Sequence, residues 1–169
     1  WSQDNWMVNE RQSGGMALDL HIHDSDYIAY LLGMPKAVSS VGTMIEPGTV
    51  GHIMTQYQYD GNCSVFAEGS WLMQASFGFE MSFNIMLEQA TIAYDCTREP
   101  AFRVCPKDGE EFSPDILPGD GYSNEINHFI KAVQGEETLA AVTPESSKES
   151  IRLIKAELES LKRNAPVSI

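Results

Sequence analysis

The sequence predicts an α+β domain, a predominantly antiparallel open sheet covered on one face by helices. Three observations carry that prediction. A helix-length segment follows Gly14-Gly15 and is stopped by Gly33, with Pro35 just beyond. Short alternating or apolar segments come next, separated by Pro47-Gly48, Asp60-Gly61 and other turn residues. Two segments with helical spacing close the chain. Helix, then strands, then helices is the order of an α+β chain, not of alternating βαβ units.

Residues 1–13, with Trp1 and Trp6 among polar neighbours, read as a surface loop or the tail of a preceding strand. Tryptophans in such a place are expected to cover a neighbour. After the first helix, Lys36–Glu46 alternates as a strand up to Pro47-Gly48. His52–Tyr59 and Cys63–Trp71 flank Asp60-Gly61-Asn62, a strong hairpin signal because Asp-Gly supplies the positive φ of a tight turn. Phe79–Leu87 and Ala90–Cys96 suggest another antiparallel pair, and Phe102–Cys105 a short strand. Residues 106–121, rich in Pro, Gly and Asp, read as a long loop. Tyr122, Ile126, Phe129, Ile130 and Val133 recur at helical spacing up to Gly135, placed as a C-cap. Thr143-Pro144-Glu145 starts a last helix, with Ile151, Ile154, Leu158 and Leu161 as its expected seam. Pro166–Ile169 reads as a final strand.

At 169 residues with 43% hydrophobic residues, the chain suits one globular domain, residues 1–169, with its own core. The formal net charge of −13 argues against nucleic acid or an anionic membrane as partner. No apolar run approaches the roughly 20 residues that span a bilayer, and no signal peptide is visible. Cys63, Cys96 and Cys105 are an odd number without C-x-x-C spacing, which suits reduced thiols and a cytoplasmic location. The chain starts at Trp1 instead of Met, so a piece of a longer protein is expected.

The stretch with the most chemistry is the first helix. At about 100° per residue, Asp19, His23, Asp26 and Tyr30 fall on one narrow stripe. Leu20, Tyr27 and Leu31 lie on one flank, and Leu18, Ile22, Ala29 and Leu32 on the other. A helix apolar on both flanks is expected to be buried on two sides, its polar edge facing a cavity. Taken alone, Asp19 and His23 are an ordinary i,i+4 pair on a solvated face. Four polar or polar-tipped residues in register, starting at a Gly-Gly turn that admits close backbone approach, favour a site.

The same letters, Asp19-Leu20-His21-Ile22-His23, also have the D-x-H-x-H form of metal-dependent hydrolase barrels. That chemistry needs a strand, so that His21 and His23 share a side. It also needs a barrel of roughly 200 residues or more and further ligands, whereas only His52 and His128 remain downstream. No metal is expected.

Ser-Gly-Gly-x3-Asp-x3-His-Asp-x-Asp, running from Ser13 to Asp26 and followed by an apolar helix, Leu-Gly and Pro, resembles a known family. It is similar to the C-terminal substrate domain of the Gfo/Idh/MocA oxidoreductases, the glucose–fructose oxidoreductase and inositol dehydrogenase relatives. The similarity extends through Glu68-Gly69-Ser70-Trp71, Gly121-Tyr122 with Phe129, and the closing helix running into Pro166-Val167. The resemblance implies the substrate-binding and catalytic half of an NAD(P)-dependent oxidoreductase acting on a secondary alcohol of a sugar, cyclitol or related polyol. It implies His23 as proton acceptor, Asp19 as its orienting partner and a substrate contact, and Gly14 and Gly15 as further substrate-binding positions. Asp26 matches a family acid for which a structural role is at least as fitting. Many members carry glycine where His21 stands, and no catalytic role follows for His21.

Other consequences of the resemblance concern what the chain lacks. The family's catalytic lysine sits in a Glu-Lys-Pro motif of an N-terminal Rossmann domain that binds NAD or NADP, and neither Glu-Lys-Pro nor G-x-G-x-x-G occurs here. No cofactor-binding residue is therefore expected in this chain. A homodimer or homotetramer through the free sheet face is expected, with Tyr57, Tyr59, Phe66 and Phe83 as candidates for that face. The chemistry fits the residues, because oxidising an alcohol needs a base for the hydroxyl proton and histidine titrates near neutrality. The alternatives are a non-catalytic binding module of the same fold and the D-x-H-x-H hydrolase.

Overall fold

The computed structural model describes residue 6 and residues 9–46, 48–138 and 142–169. A short helix, α1 (Glu10–Ser13), is capped by the Asn9 side chain and closed by Gly14 in the left-handed conformation. The chain then enters a helix in two parts, a π turn over Ala17–His21 that continues into α2 (Ile22–Leu32). Six strands follow: β1 (Ala37–Glu46), β2 (Thr49–Gln58), β3 (Val65–Ser70), β4 (Ser82–Met86), β5 (Ala90–Asp95) and β6 (Phe102–Pro106). Helices α3 (Gly121–Gln134) and α4 (Pro144–Arg163) and a last strand, β7 (Val167–Ser168), complete the order. The α+β class with antiparallel sheets is as the sequence predicts. The expectation for Trp1 lies outside the described residues, and Trp6 is exposed. No helix among the described residues is long and apolar enough to cross a membrane.

The chain packs as two compact units. The first takes the residues up to Met73 together with α4 and β7, and holds a four-stranded sheet in the order β3-β2-β1-β7. The second, Gln74–Thr138, holds β4-β5-β6. Every pairing is antiparallel, so the sheet expected in one piece is divided in two.

In the first unit β2 alternates as a strand with one covered face must: Ile53, Thr55 and Tyr57 are buried, while Met54, Gln56 and Gln58 are exposed. The π turn and α2 pack against β3, and α4 packs against β1 and β7. Met16, Val50 and Ile53 form one buried cluster with Leu20, Trp71, Leu158 and Leu161 against it. Val38, Tyr57 and Leu153 form the other. Full burial of each such side chain stabilises by about 1.5–3 kcal/mol.

Several expectations need correction here. Tyr57 lies on the covered face at 1% exposure, because its register with Val38 and Val65 points it under the helices. Tyr59 and Phe83 are half-buried, the first donating its hydroxyl to the Gly33 carbonyl at 2.7 Å and the second stacked on Tyr94. Phe66 is exposed as expected. Helix α2 is not buried on both flanks, since Tyr27, Leu31 and Leu32 are exposed. The α4 seam is rotated from the expected one: Leu153, Ile154, Glu157 and Ser160 are buried and Ile151 is exposed. Its start is as read, with Thr143 and Ser146 capping each other and Pro144 in the first turn.

In the second unit α3 is capped by the Asp120 side chain on the Ser123 N–H at 2.7 Å and closed by left-handed Gly135. The expected loop after β6 is pinned once, where Phe112 pairs with Val104.

Candidate active site

The π–α helix has two unlike sides. On the inner side His21 and Ser25 are fully buried. Both meet Glu157, a carboxylate of α4 that is itself fully buried. The His21 Nε2–H lies 2.9 Å from Glu157 Oε2, and the Ser25 hydroxyl donates to Oε1 at 2.9 Å. From β2, Thr55 donates to Oε2 at 3.0 Å and Tyr57 to Oε1 at 3.1 Å. Ser40 hydrogen-bonds the Thr55 hydroxyl at 2.8 Å, and its own N–H donates to Ser160 Oγ at 2.9 Å. A carboxylate has about four acceptor positions, and four donors occupy them here.

Burial by itself would lower the pKa of His21. The adjoining carboxylates of Asp24 and Glu157 outweigh it and hold the imidazolium up to about 9. The Asp24 carboxylate is 3.7 Å from His21 Nδ1, an ion-pair separation too long for a hydrogen bond. Burial and the adjacent carboxylate push the Tyr57 phenol upward, so it stays a neutral donor.

The imidazole also constrains a residue on the neighbouring strand. A Cβ placed on Gly69 would come within 3.0 Å of His21 Cβ and Nδ1. A side chain there needs the ring or the strand to give by a few tenths of an ångström.

On the outer side, Asp19 is half-buried and His23 exposed. Among the described residues neither has a hydrogen-bond or ion-pair partner, so the pairing an ideal helix suggests is not formed. The π turn is the reason. The Ile22 N–H reaches Ala17 O, five residues back, and this wider turn shifts Asp19 against everything after it. Asp26 accepts from the Ser150 hydroxyl of α4, a tie between helices, and Tyr30 is exposed. Gly14 has φ +83°, and a Cβ there would run into Leu18 Cδ1 at 2.7 Å. Gly15, with φ +73°, is buried and donates its N–H to the Ser13 hydroxyl oxygen at 2.9 Å. Both glycines set the approach to the π turn.

The D-x-H-x-H alternative requires a strand and finds a helix, with His21 turned inward and His23 outward. His52 pairs with Glu68 at 3.0 Å and His128 with Glu137 at 2.8 Å. Among the described residues no three metal-ligating side chains cluster. Sequence reasoning missed Glu157, Ser25, Thr55 and Tyr57 as a set. The available signal was an acid one turn beyond Leu153 and Ile154, in line with Ser150 and Ser160 on one helix face.

A family profile described as the GFO/IDH/MocA C-terminal domain matches residues 1–93. The chain belongs to this family. A curated Gfo/Idh/MocA-type relative, scyllo-inositol 2-dehydrogenase (NAD(+)) of Bacillus subtilis (strain 168), is 25% identical over 141 residues, covering 76% of this chain and 40% of the relative. Among solved structures, a levoglucosan dehydrogenase in complex with NADH and levoglucosan superposes with a TM-score of 0.79 at 18% identity, over 97% of this chain and 53% of that one. An aldose-aldose oxidoreductase from Caulobacter crescentus gives 0.79 at 17% identity, over 97% and 50%. At these identities the structural likeness is one of fold. The chain spans about half, or less, of the length of these proteins.

Proposed function

We propose that this chain is the substrate-binding and catalytic part of an NAD(P)-dependent oxidoreductase that acts on a secondary alcohol of a sugar, cyclitol or related polyol. One observation carries the proposal. In a Gfo/Idh/MocA domain, an exposed histidine, His23, without a partner among the described residues, stands on the outer edge of a helix whose inner edge is anchored in the core. An imidazole so placed has both ring nitrogens available to a ligand.

His23 takes the proton of the substrate hydroxyl, and Asp19, on the same edge, holds that hydroxyl or stabilises the imidazolium as it forms. Gly14 and Gly15, whose positive φ angles set the turn into the helix, bring backbone close to the substrate. A nicotinamide, when bound, supplies the hydride acceptor. Its nucleotide part is held by a Rossmann domain outside the sequence given, because no phosphate-cradling glycine turn occurs here. The whole protein assembles as a homodimer or homotetramer through the free face of the four-stranded sheet, where Val41, Met54 and Phe66 are exposed.

The test is a panel of sugars and polyols offered to the whole protein with NAD+ or NADP+, followed by reduced-cofactor absorbance. Activity should appear with at least one alcohol, and His23→Ala should lower kcat by about 10²–10⁴. An active enzyme indifferent to His23→Ala would remove the proposed role.

A further inference from the structure

We propose that Glu157 is a positioning residue: by holding His21 and Ser25 it fixes the rotation at which the π–α helix presents Asp19 and His23. The proposal rests on the alcohol-oxidising role given above. His23 lies two residues beyond His21, and two residues along an α-helix turn by about 200°. An imidazole pinned inward therefore sends His23 outward, while Asp19, inside the π turn, is half-buried. His21 Nε2 sits 2.9 Å from Glu157 Oε2, and Ser25, one turn later, sits 2.9 Å from Oε1. Two anchors one turn apart fix both the rotation of the helix and its place along its axis.

The carboxylate cannot follow the helix, because Thr55 and Tyr57 of β2 bind it at 3.0 and 3.1 Å. It thus ties three elements together: the helix that carries the site, the sheet and α4. The π turn makes this tie consequential. Its hydrogen bonds are wider than those of an α-helix and rely on surrounding structure to persist. Release of His21 lets residues 17–21 rewind toward an α-helix, which turns Asp19 by about 100° relative to His23. Misplacing a reacting group by about 1 Å costs on the order of 10²-fold in rate.

The experiment uses the whole protein and the variants Glu157→Gln, His21→Gln and the double change. A glutamine at 157 keeps the volume but replaces one acceptor oxygen with an NH2 that faces donors. In Glu157→Gln, kcat for alcohol oxidation should fall by about 10–100-fold with KM unchanged. Amide exchange should quicken at residues 17–23 and not across the sheet. The double variant should be no worse than the worse single one, as for two residues acting through one bond. A folded Glu157→Gln with wild-type kcat overturns the proposal. So does a loss shared equally with KM, or exchange raised throughout the domain. If Glu157→Gln does not fold, His21→Gln decides in the same way, by kcat against KM and by exchange at residues 17–23. If His23→Ala leaves activity intact, the redox role fails, and exchange at 17–23 still decides whether Glu157 holds the helix.

Discussion

His21 and His23 stand two residues apart on one helix, in opposite circumstances. His21 is enclosed by Glu157, Asp24 and Gly69, and keeps its proton well above neutrality. His23 is exposed and without a described partner. The same side chain is a fixed cation on one side of the helix and an open imidazole on the other. The difference teaches that surroundings assign the role. A base must be able to lose and regain a proton at working pH, and an imidazole locked beside two carboxylates cannot do so as readily.

The contrast can be broken by removing the inner side's charge. Glu157→Ala leaves a buried imidazolium and three hydroxyls facing a void, and should cost about 3–5 kcal/mol in denaturant unfolding. His23→Ala, on the open side, should stay within about 0.5 kcal/mol of wild type in the same measurement. Equal losses would erase the distinction between the two sides.

A pH series sharpens it. His21 has an ordinary value of 6.5 and a folded value of about 9, so the folded chain holds a proton that the unfolded chain releases. The resulting stabilisation is present in full below about 6.5 and is lost as pH rises toward about 9. On the order of 3 kcal/mol is at stake over that window. Unfolding free energies at the two ends should differ in that direction, and His21→Gln should flatten the difference. A wild-type curve already flat there would contradict the buried cation.

A smaller loss than that of Glu157→Ala concerns the strand under the ring. Gly69→Ala puts a methyl 3.0 Å from His21 and should destabilise by about 1–3 kcal/mol, with His21 moving off Glu157. His21→Gly should relieve much of that loss when the two are combined. Additive losses would show that the ring and the strand are independent.

Much of this was legible in the sequence, where local chemistry decides. Thr143-Pro144, Gly135 and Asp60-Gly61 act through the backbone within a few residues, and each stands where its type demands. The first helix was legible by the glycines that bound it, Gly14-Gly15 and Gly33. The π turn was not, because a constant angle per residue assumes an unbroken α ladder. Glu157, Ser150 and Ser160 were hidden because hydrophobic periodicity skips polar residues, though all three line the buried face of α4. Tyr57 was misplaced for a related reason. An aromatic with a hydroxyl suits either face of a sheet, and only the partners opposite decide. Ile151, apolar and exposed, is the converse case.

The full occupancy of the Glu157 carboxylate bears on how this domain can diverge. An acceptor set with no vacancy is a closed account, and His21 is the one charged donor in it. A relative with glycine in place of His21 keeps the three hydroxyls but loses the cation, leaving a buried anion that only neutral groups face. The strand below gains the freedom to carry a side chain at position 69. Positions 21, 69 and 157 therefore form one coupled trio, in which a change at one alters what the other two can tolerate.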